Sequence, residues 1–591
     1  MGPKAHSPCL DSKKHSLLRL KGRLRRSSPF FLYIPALFTD GARMHRKNCE
    51  RRFPPRGKNK EVKRVVCLMT KYLLRRILHG LVSVCIVVLI VMVMIYSMLD
   101  RNQIFASDPQ FTKVSNNDKT LYKYRNWKEF GYVDYYTYTD WLQEMTAKGE
   151  IDEETRKSAS SIGRTADADS DIVKDYVGRF TADAEKNGYS VIRLDAIMQT
   201  KSKIAPGGQQ KLFAYRDRPL YLRLINYFGH LVTVDTIHSV KDDVGERGIT
   251  FTLHDPLYGG SKFSPAIIGN GTLHKYLLYC DGKFPYIHQN LISINLGKSY
   301  SVNKNIEVTT TMTKAQGSFV NTMVTYPTGL TEMSADDLHS AIYQTGSLEG
   351  NVINQDRFTD NYTSVQTNKS GMSRWGYSFT IGIIAVSLAY LLGVPLGIWV
   401  ALKKDKLIDK IGTAYIVFIM AVPSLSYILI FKALGNMAGL PTTFDMESKN
   451  RLMFVLPIVS LALPSIGSLM RWLRRYMIDQ MNSDYVKFAR SGGLGEGEIF
   501  SKHILKNAAI PIVHGIPGSV LGALTGAFIT ERVYVVPGIG GLLINAINAY
   551  DNGVIVGVTL FYAVISVVSM ILGDVLMSLV DPRISFTAKA R

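Results

Sequence analysis

Few residues in this chain of 591 have the types and spacing that chemistry demands. A loop that cradles phosphate needs Gly, four residues, then Gly-Lys-Ser/Thr, so that backbone N–H groups can close around the anion. "GKS" occurs at 297–299, but Ile292 stands where the first glycine belongs. The long apolar runs hold no paired carboxylates, no HExxH and no Gly-x-Ser-x-Gly, so an intramembrane hydrolase has nothing to work with. Asp574 at the end of the last apolar run reads either as a functional intramembrane charge or, preferably, as a helix-end residue paired with a cation. The five cysteines (9, 49, 67, 85 and 280) show no CxxC and no zinc spacing, and only Cys280 falls in the long polar segment, so no disulfide can close within it. The segment that does ask for a function is "YVKFARSGGLGEGEIFSKHILKNAAIPI", residues 485–512: polar, glycine-rich and cationic between two apolar runs.

Six runs are long enough to cross a bilayer: 77–99, 375–402, 411–431, 452–470, 507–530 and 552–573. None contains Asp, Glu, Lys or Arg, and soluble core helices rarely stay uncharged for so long. Net charge is +22, but residues 1–76 carry 21 Lys and Arg against four Asp and Glu. Such an arm could bind nucleic acid; the simpler reading is a terminus held in the cytoplasm by its charge. Six crossings then put the C-terminus inside too, with "KKDKLIDK" (403–410) and "RWLRR" (471–475) on the inner face.

Residues 1–68 form a basic tail whose apolar patch "PFFLYIPALF" is too short to span. "MTKYLLRRILHGLVSV" has the look of a start, so 1–68 reads as an upstream extension, the alternative being a disordered basic arm on the lipid surface. The first span lies within 69–99. Residues 100–374, outside by topology, are too many for a structureless loop and should fold as an α+β domain. "DSDIVKDYVGRFTADAEKNG" predicts a capped helix ending at Gly188; "PLYLRLINYFGHLVTVDTIHSV" and "GITFTLHD" alternate as strands do. The aromatic stretch 122–141 reads as core or interface rather than a stacking platform.

Within 484–511, Asp484 or Ser483 can cap a short helix that Gly492 and Gly493 end in the left-handed conformation. A second, amphipathic helix follows, and Pro511 is expected to open the fifth span. Tyr485, Phe488 and Ala489 would face outward, apolar groups offered to a partner's groove.

This segment resembles the cytoplasmic coupling loop of permease subunits of ABC importers, specifically the oligopeptide/dipeptide type. Ala489, Gly493, His503, Leu505, Lys506, Asn507, Ala508 and Pro511 stand at the positions of that family's pattern; Lys487 replaces its acidic residue. "MTKYLLRRI", "NLGKSYS" (295–301), "LGVPLGIWVALKK", "ERVYVVPGIGGLLINAI" (531–547) and "DVLMSLVDPRIS" extend the resemblance. The large outer segment resembles streptococcal-type members. The resemblance implies a mainly α, six-span bundle with the extracellular α+β domain between spans one and two, and a permease core over 375–591. It implies ATPase coupling through Tyr485, Phe488, Ala489, Gly493, His503, Asn507 and Pro511. It implies a gating or extracellular turn at Glu531, Pro537, Gly538 and Gly540, and a cytoplasmic end at Asp581, Pro582 and Arg583. It implies that no cofactor is bound directly and that ATP is used by two partner ATP-binding subunits. It implies, too, a second permease subunit and an extracellular peptide-binding lipoprotein as partners. The alternatives are a related importer of nickel, glutathione or sugar, or a membrane receptor that binds ligand without transport.

Overall fold

The computed structural model describes residues 58–580 except 115, 164, 195–197, 201–202, 205–209, 259–261, 281–286, 302 and 449. Asp581, Pro582, Arg583 and residues 1–57 lie outside the described residues. Arg475–Val513 belong to one compact unit, and Ile77–Arg474 with His514–Asp574 to another; the two are described separately.

The apolar runs are helical. α1 covers Lys58–Met98 without a break through Met69, and its Tyr72–Met98 portion is long and apolar enough to cross a membrane. Between it and the next apolar helix lie the strands of the described chain, mixed with helices, as an α+β segment requires. α2 (Asn116–Glu129) leads into β1 (Val133–Thr137), then α3 (Tyr138–Ala147), α4 (Asp171–Lys186), β2 (Ser190–Leu194) and β3 (Lys211–Asp217). α4 is the capped helix expected: Ser170 accepts from the Val173 N–H, and Gly188 sits at φ +75°.

The three strands pair antiparallel with β3 in the centre, Tyr135 opposite Tyr215 and Val191 opposite Ala214. Side chains alternate across a strand, so each face builds its own core. Leu212 and Ala214 join Tyr138, Trp141, Leu142 and Phe180 on one face. Phe213, Val133 and Tyr135 join Phe105, Trp127, Phe130 and Tyr300 on the other. The aromatic stretch 122–141 is therefore core.

"PLYLRLINYFGHLVTV" departs from its strand reading. Leu220–Gly229 is a helix, α5, and only Val232–Val234 (β4) is extended. Polar residues are few in this short run, and their spacing fits an alternating strand as well as a one-sided helix, so the pattern does not tell the two apart. "GITFT" is a strand as expected: β5 (Gly248–Thr252) edges a four-stranded sheet with β6 (Ala266–Asn270), β7 (Tyr276–Cys280) and β8 (Ile287–Gln289). β9 (Ile292–Ile294) turns back to pair with β4.

Beyond the α+β segment come α6 (Arg374–Leu402), α7 (Leu407–Ala421), α8 (Ser424–Met437) and α9 (Val455–Met481). α6 and α9 are each long enough to span. The third apolar run, expected as one crossing, breaks at Val422–Pro423, where α7 and α8 meet at 107°. Proline removes a backbone donor and disfavours helix in the residue before it, and Val422 is extended (ψ 128°). Gly393 and Gly397 let α6 lie against Leu469 and Met470 of α9. At the other end of these helices, Arg474 grips buried Asp409 with two hydrogen bonds of 2.6 and 2.8 Å, placing "KKDKLIDK" and "RWLRR" side by side.

Candidate functional site

α9 runs on past its apolar stretch through "RWLRRYMIDQM", as its composition allows, before α10 (Asp484–Ser491) begins. Ser483 is the N-cap of α10, though its hydroxyl turns back to Gln480 O (2.6 Å) and caps nothing. The end of α10 is a full Schellman motif. The Gly493 N–H bonds Arg490 O (3.1 Å) and the Leu494 N–H bonds Ala489 O (3.3 Å). Gly493 alone takes the left-handed conformation (φ +79°); Gly492 stays at −75°. Arg490 and Glu496 then clasp the bend through two hydrogen bonds, 2.6 and 3.1 Å, although both are exposed.

After the bend, helix resumes at Glu496–Ile499 and widens into a π-helical stretch, Phe500–Leu505, before α11 (Lys506–His514). Pro511 lies inside α11 rather than opening a span; the next helix, α12 (Ile516–Tyr534), starts after Gly515 with Pro517 in its first turn. Pro511 has no N–H to return to Asn507 O, so it loosens α11 just beyond the π-helical stretch.

The structure brings Tyr485, His503 and Asn507 together. The Tyr485 hydroxyl donates to Gln480 Oε1 and accepts from Asn507 Nδ2 (3.0 Å), and its ring lies 6.3 Å from that of His503. These residues brace one helix on the other. Phe488 is the apolar group that projects, 80% exposed. Ala489 does not face outward as expected: it is 8% exposed, on the same buried face as Val486. Residues three apart share a helix face, and the fully buried Val486 fixes which face that is.

The second set of candidates meets in the other unit. Tyr534 ends α12, Val535 is left-handed (φ +58°), and Gly538 caps α13 (Ile539–Asn548). A β-branched residue in that region is strained, and the fixed φ of Pro537 stiffens the approach to α13. The turn is held from within by Glu531, 1% exposed. Its carboxylate accepts from Ser378 Oγ of α6 (2.6 Å) and from the Gly541 N–H (3.1 Å); Ser378 Oγ in turn accepts from the Ile539 N–H (2.9 Å). Glu531 thereby sits beside the first N–H groups of α13, which have no partner within their own helix. The glycines are glycines because the carboxylate and a ring lie where a side chain would begin. A Cβ on Gly538 would sit 2.3 Å from Glu531, and one on Gly540 2.2 Å from Phe528. Lys432 of α8 donates to Val533 O (2.6 Å), and Tyr534 bonds Ser460 of α9 (2.9 Å), so α6, α8 and α9 all close on this turn between α12 and α13.

The sequence reading missed Ser378, which sits in an uninterrupted apolar run. It also missed Asp551, whose buried carboxylate receives Ser299 Oγ (2.6 Å), Tyr300 N–H (2.8 Å) and Ser301 N–H (3.0 Å) at the head of α14 (Asn552–Val580). "NLGKSYS" is therefore a strap over the last helix. A Cβ on Gly553 would lie 1.8 Å from Lys298 O, and one on Gly557 2.6 Å from Leu296 O.

Residues 393–586 match the model of the binding-protein-dependent transport system inner membrane component. Over 528 residues the chain is 32% identical to the oligopeptide transport system permease protein AmiC of Streptococcus pneumoniae, an alignment covering 88% of this chain and 99% of that protein. The chain belongs to this family of transport-system permeases. The dipeptide transport system permease proteins DppB of Bacillus subtilis and Lactococcus lactis are 31% and 33% identical, over 36% and 38% of this permease and 68% and 77% of their own lengths. Similarity to the dipeptide permeases thus stops at little more than a third of the chain, while similarity to AmiC takes in nearly all of it. The permease is a multi-pass membrane protein: α1, α6, α9 and α14 each carry an apolar stretch long enough to cross, and two bent helix pairs raise the number of crossings to as many as six.

Proposed function

We propose that this permease is the transmembrane subunit of an ATP-driven oligopeptide importer, forming half of the translocation path. The observation that carries the reading is the AmiC alignment, which runs through 99% of an oligopeptide permease and leaves no part of that relative unmatched on the scale of a domain. In this reading the permease pairs with a second permease subunit, two ATP-binding subunits on the cytoplasmic side and an extracellular peptide-binding lipoprotein, and it holds no ATP site of its own. The chain crosses the membrane six times, the α7–α8 pair counting as one crossing. Both termini lie inside and the α+β segment outside. The Asp409–Arg474 pair supports this topology, because it joins the two cationic loops that six crossings put on one side.

The 484–511 segment is the element on which the ATP-binding subunits act. Phe488 enters their groove; Tyr485, His503 and Asn507 keep α10 fixed on the helix behind it, so that a push on Phe488 moves a rigid piece. The turn held by Glu531 is the rigid outer element against which the helices rock. Reconstitution in liposomes with the partner subunits tests both statements. Uptake of labelled oligopeptide on ATP addition is expected, and Phe488→Ala should cut uptake and ATPase co-purification together while thermal stability is unchanged. Uptake of another solute with none of peptide would overturn the substrate class; full uptake by the variant would overturn the coupling role.

A further inference from the structure

α5 carries the sequence "LYLRLINYFG", whose polar side chains, Arg223 and Asn226, fall on one narrow side while the rest is apolar. A helix with so wide an apolar face buries that face in a core or lays it on a membrane. Here only one side is covered. Leu224, Tyr227, Phe228 and the following Leu231 pack on a cluster that includes Met92 and Ile95 of α1 and Val556 and Leu560 of α14. Its one charge, Arg223, turns inward: the guanidinium lies 5.3 Å from the Tyr96 ring and 4.6 Å from the Tyr132 ring and donates to Tyr132 O. The other side presents Tyr221, Leu222 and Ile225, which are 62%, 38% and 62% exposed.

The same happens in the ribbon that follows. Ile292 stands opposite Val234 and Ile294 opposite Val232, and all four are about half exposed on one face, while Thr233 and Ser293 turn to the other. The ribbon is rooted on the same cluster: the Asn295 N–H bonds Leu231 O (2.9 Å), and Leu296 belongs to the cluster between α1 and α14.

Depth follows from the contacts. Arg223 of α5 lies over Tyr96 of α1, and the cluster on which α5 packs includes Met92 and Ile95, so the contacts fall two to six residues short of the end of α1 at Met98. At 1.5 Å per residue that is roughly 3–9 Å inside the end of the span, the depth at which interfacial helices sit. The neighbouring turns of α1, a helix long and apolar enough to cross a membrane, themselves expose Leu89, Ile90 and Met94.

We infer that α5 and the β4–β9 ribbon are seated in the bilayer, with lipid acyl chains covering Tyr221, Leu222, Ile225 and the aliphatic face of the ribbon. A protein partner would be met by a polar, charged rim. The exposed face of α5 instead has no charge, its polar edge being the exposed Asn226, and Arg223 is folded away from it. The α+β segment is thereby anchored along the membrane surface as well as through α1 and α6, whatever solute is carried.

The test uses the assembled transporter in proteoliposomes. On a background with all five cysteines replaced by serine, nitroxide is attached at Ile225→Cys, at Val234→Cys and, as a water-exposed control, at Lys157→Cys. Accessibility to oxygen, which concentrates in hydrocarbon, is compared with accessibility to a water-soluble nickel chelate. The oxygen-to-nickel ratio is expected to be at least about fivefold higher at 225 and 234 than at 157, as for groups within the acyl region. A benzophenone amino acid at Ile225 should yield lipid adducts on illumination. Nickel access at 225 equal to the control, or shielding from both reagents with adducts to another polypeptide, would overturn the inference.

Discussion

Asp551 Oδ2 accepts a 2.6 Å hydrogen bond from the hydroxyl of Ser299, 252 residues earlier in the chain. This contact, with the Tyr300 and Ser301 N–H groups on the same carboxylate, closes the α+β segment onto the head of the last helix. Asp551→Asn should be costly although it is nearly isosteric. Whichever oxygen becomes NH₂ then faces a backbone N–H, donor against donor, because Tyr300 and Val554 donate to Oδ1 and Ser301 to Oδ2, and each charge-assisted bond contributes about 1.5–3 kcal/mol. A loss on the order of 3 kcal/mol is expected, read as a lower midpoint of thermal unfolding in detergent and faster proteolysis near 295–301. An unchanged midpoint would mean that the carboxylate bears no such load.

Gly553 tests the same strap without touching charge. Its Cβ position lies 1.8 Å from the Lys298 carbonyl oxygen, a backbone atom that cannot rotate away. Gly553→Ala should therefore displace the strap and reduce both folded yield and uptake. Gly522 in α12 is the control, since a Cβ there meets nothing within 4 Å. Gly522→Ala should be neutral or stabilising by up to about 1 kcal/mol through helix propensity. Comparing membrane levels of the two variants checks the prediction, and equal levels would count against it.

How much of this was legible in the sequence depends on range. The helix-ending Gly493 and the N-cap Ser170 could be read because their signals are local: a cap or a left-handed residue acts within four positions. α5 was misread because a short apolar run with isolated polar residues fits a strand's period as well as a helix's. The break at Pro423 was visible as a proline, but a 107° turn depends on what α7 and α8 pack against. Ala489 was placed on the wrong face because only the neighbours of Val486 say which side of α10 is covered. Ser378 and Asp551 could not be assigned at all: their partners lie 153 and 250–252 residues away in the chain. Glu531 offered the one long-range hint, an acid at the edge of an apolar run that must find donors to be buried.

In the α+β segment, Asp255 is buried against Nε2 of His339 (2.6 Å), the Leu257 N–H (2.9 Å) and the Tyr276 hydroxyl (3.0 Å). Burial alone would raise its carboxyl, but His339 and these donors outweigh burial and hold it below the ordinary 3.8. A lowered folded value means that folding favours the ionised form. The stabilisation is fully present above pH 3.8 and is lost as pH falls through the lowered value. Asp235, with His274 and two backbone N–H groups, behaves in the same way. Thermal unfolding followed from pH 6 to pH 3 should show a falling midpoint below about pH 4, and Asp255→Asn should flatten that fall while lowering the midpoint at neutral pH. A variant with the wild-type slope would exclude Asp255 as a source of it.

The bend at Gly493 separates conformation from packing more cleanly than any other position in the coupling segment. A Cβ there meets nothing within 4 Å, so a side chain has room; the obstacle is φ +79°. The left-handed region costs an ordinary L-residue roughly 1–2 kcal/mol and a β-branched one more, whereas asparagine tolerates it. Uptake should therefore rank wild type, then Gly493→Asn close behind, then Gly493→Ala, with Gly493→Val abolished. A purely steric site would rank by size and place alanine above asparagine. In the valine variant the Leu494 to Ala489 hydrogen bond opens and α10 swings on Tyr485, carrying Phe488 away from its partner. No membrane-crossing residue changes, so membrane level should stay near normal while uptake and ATPase co-purification fall together. Ala489→Asp should give a different signature: Ala489 is buried against the body of the segment, so the charge destabilises the fold itself and membrane level drops as well. Measuring membrane level, uptake and co-purification side by side distinguishes the two, and full uptake by the valine variant would remove the bend from the coupling path.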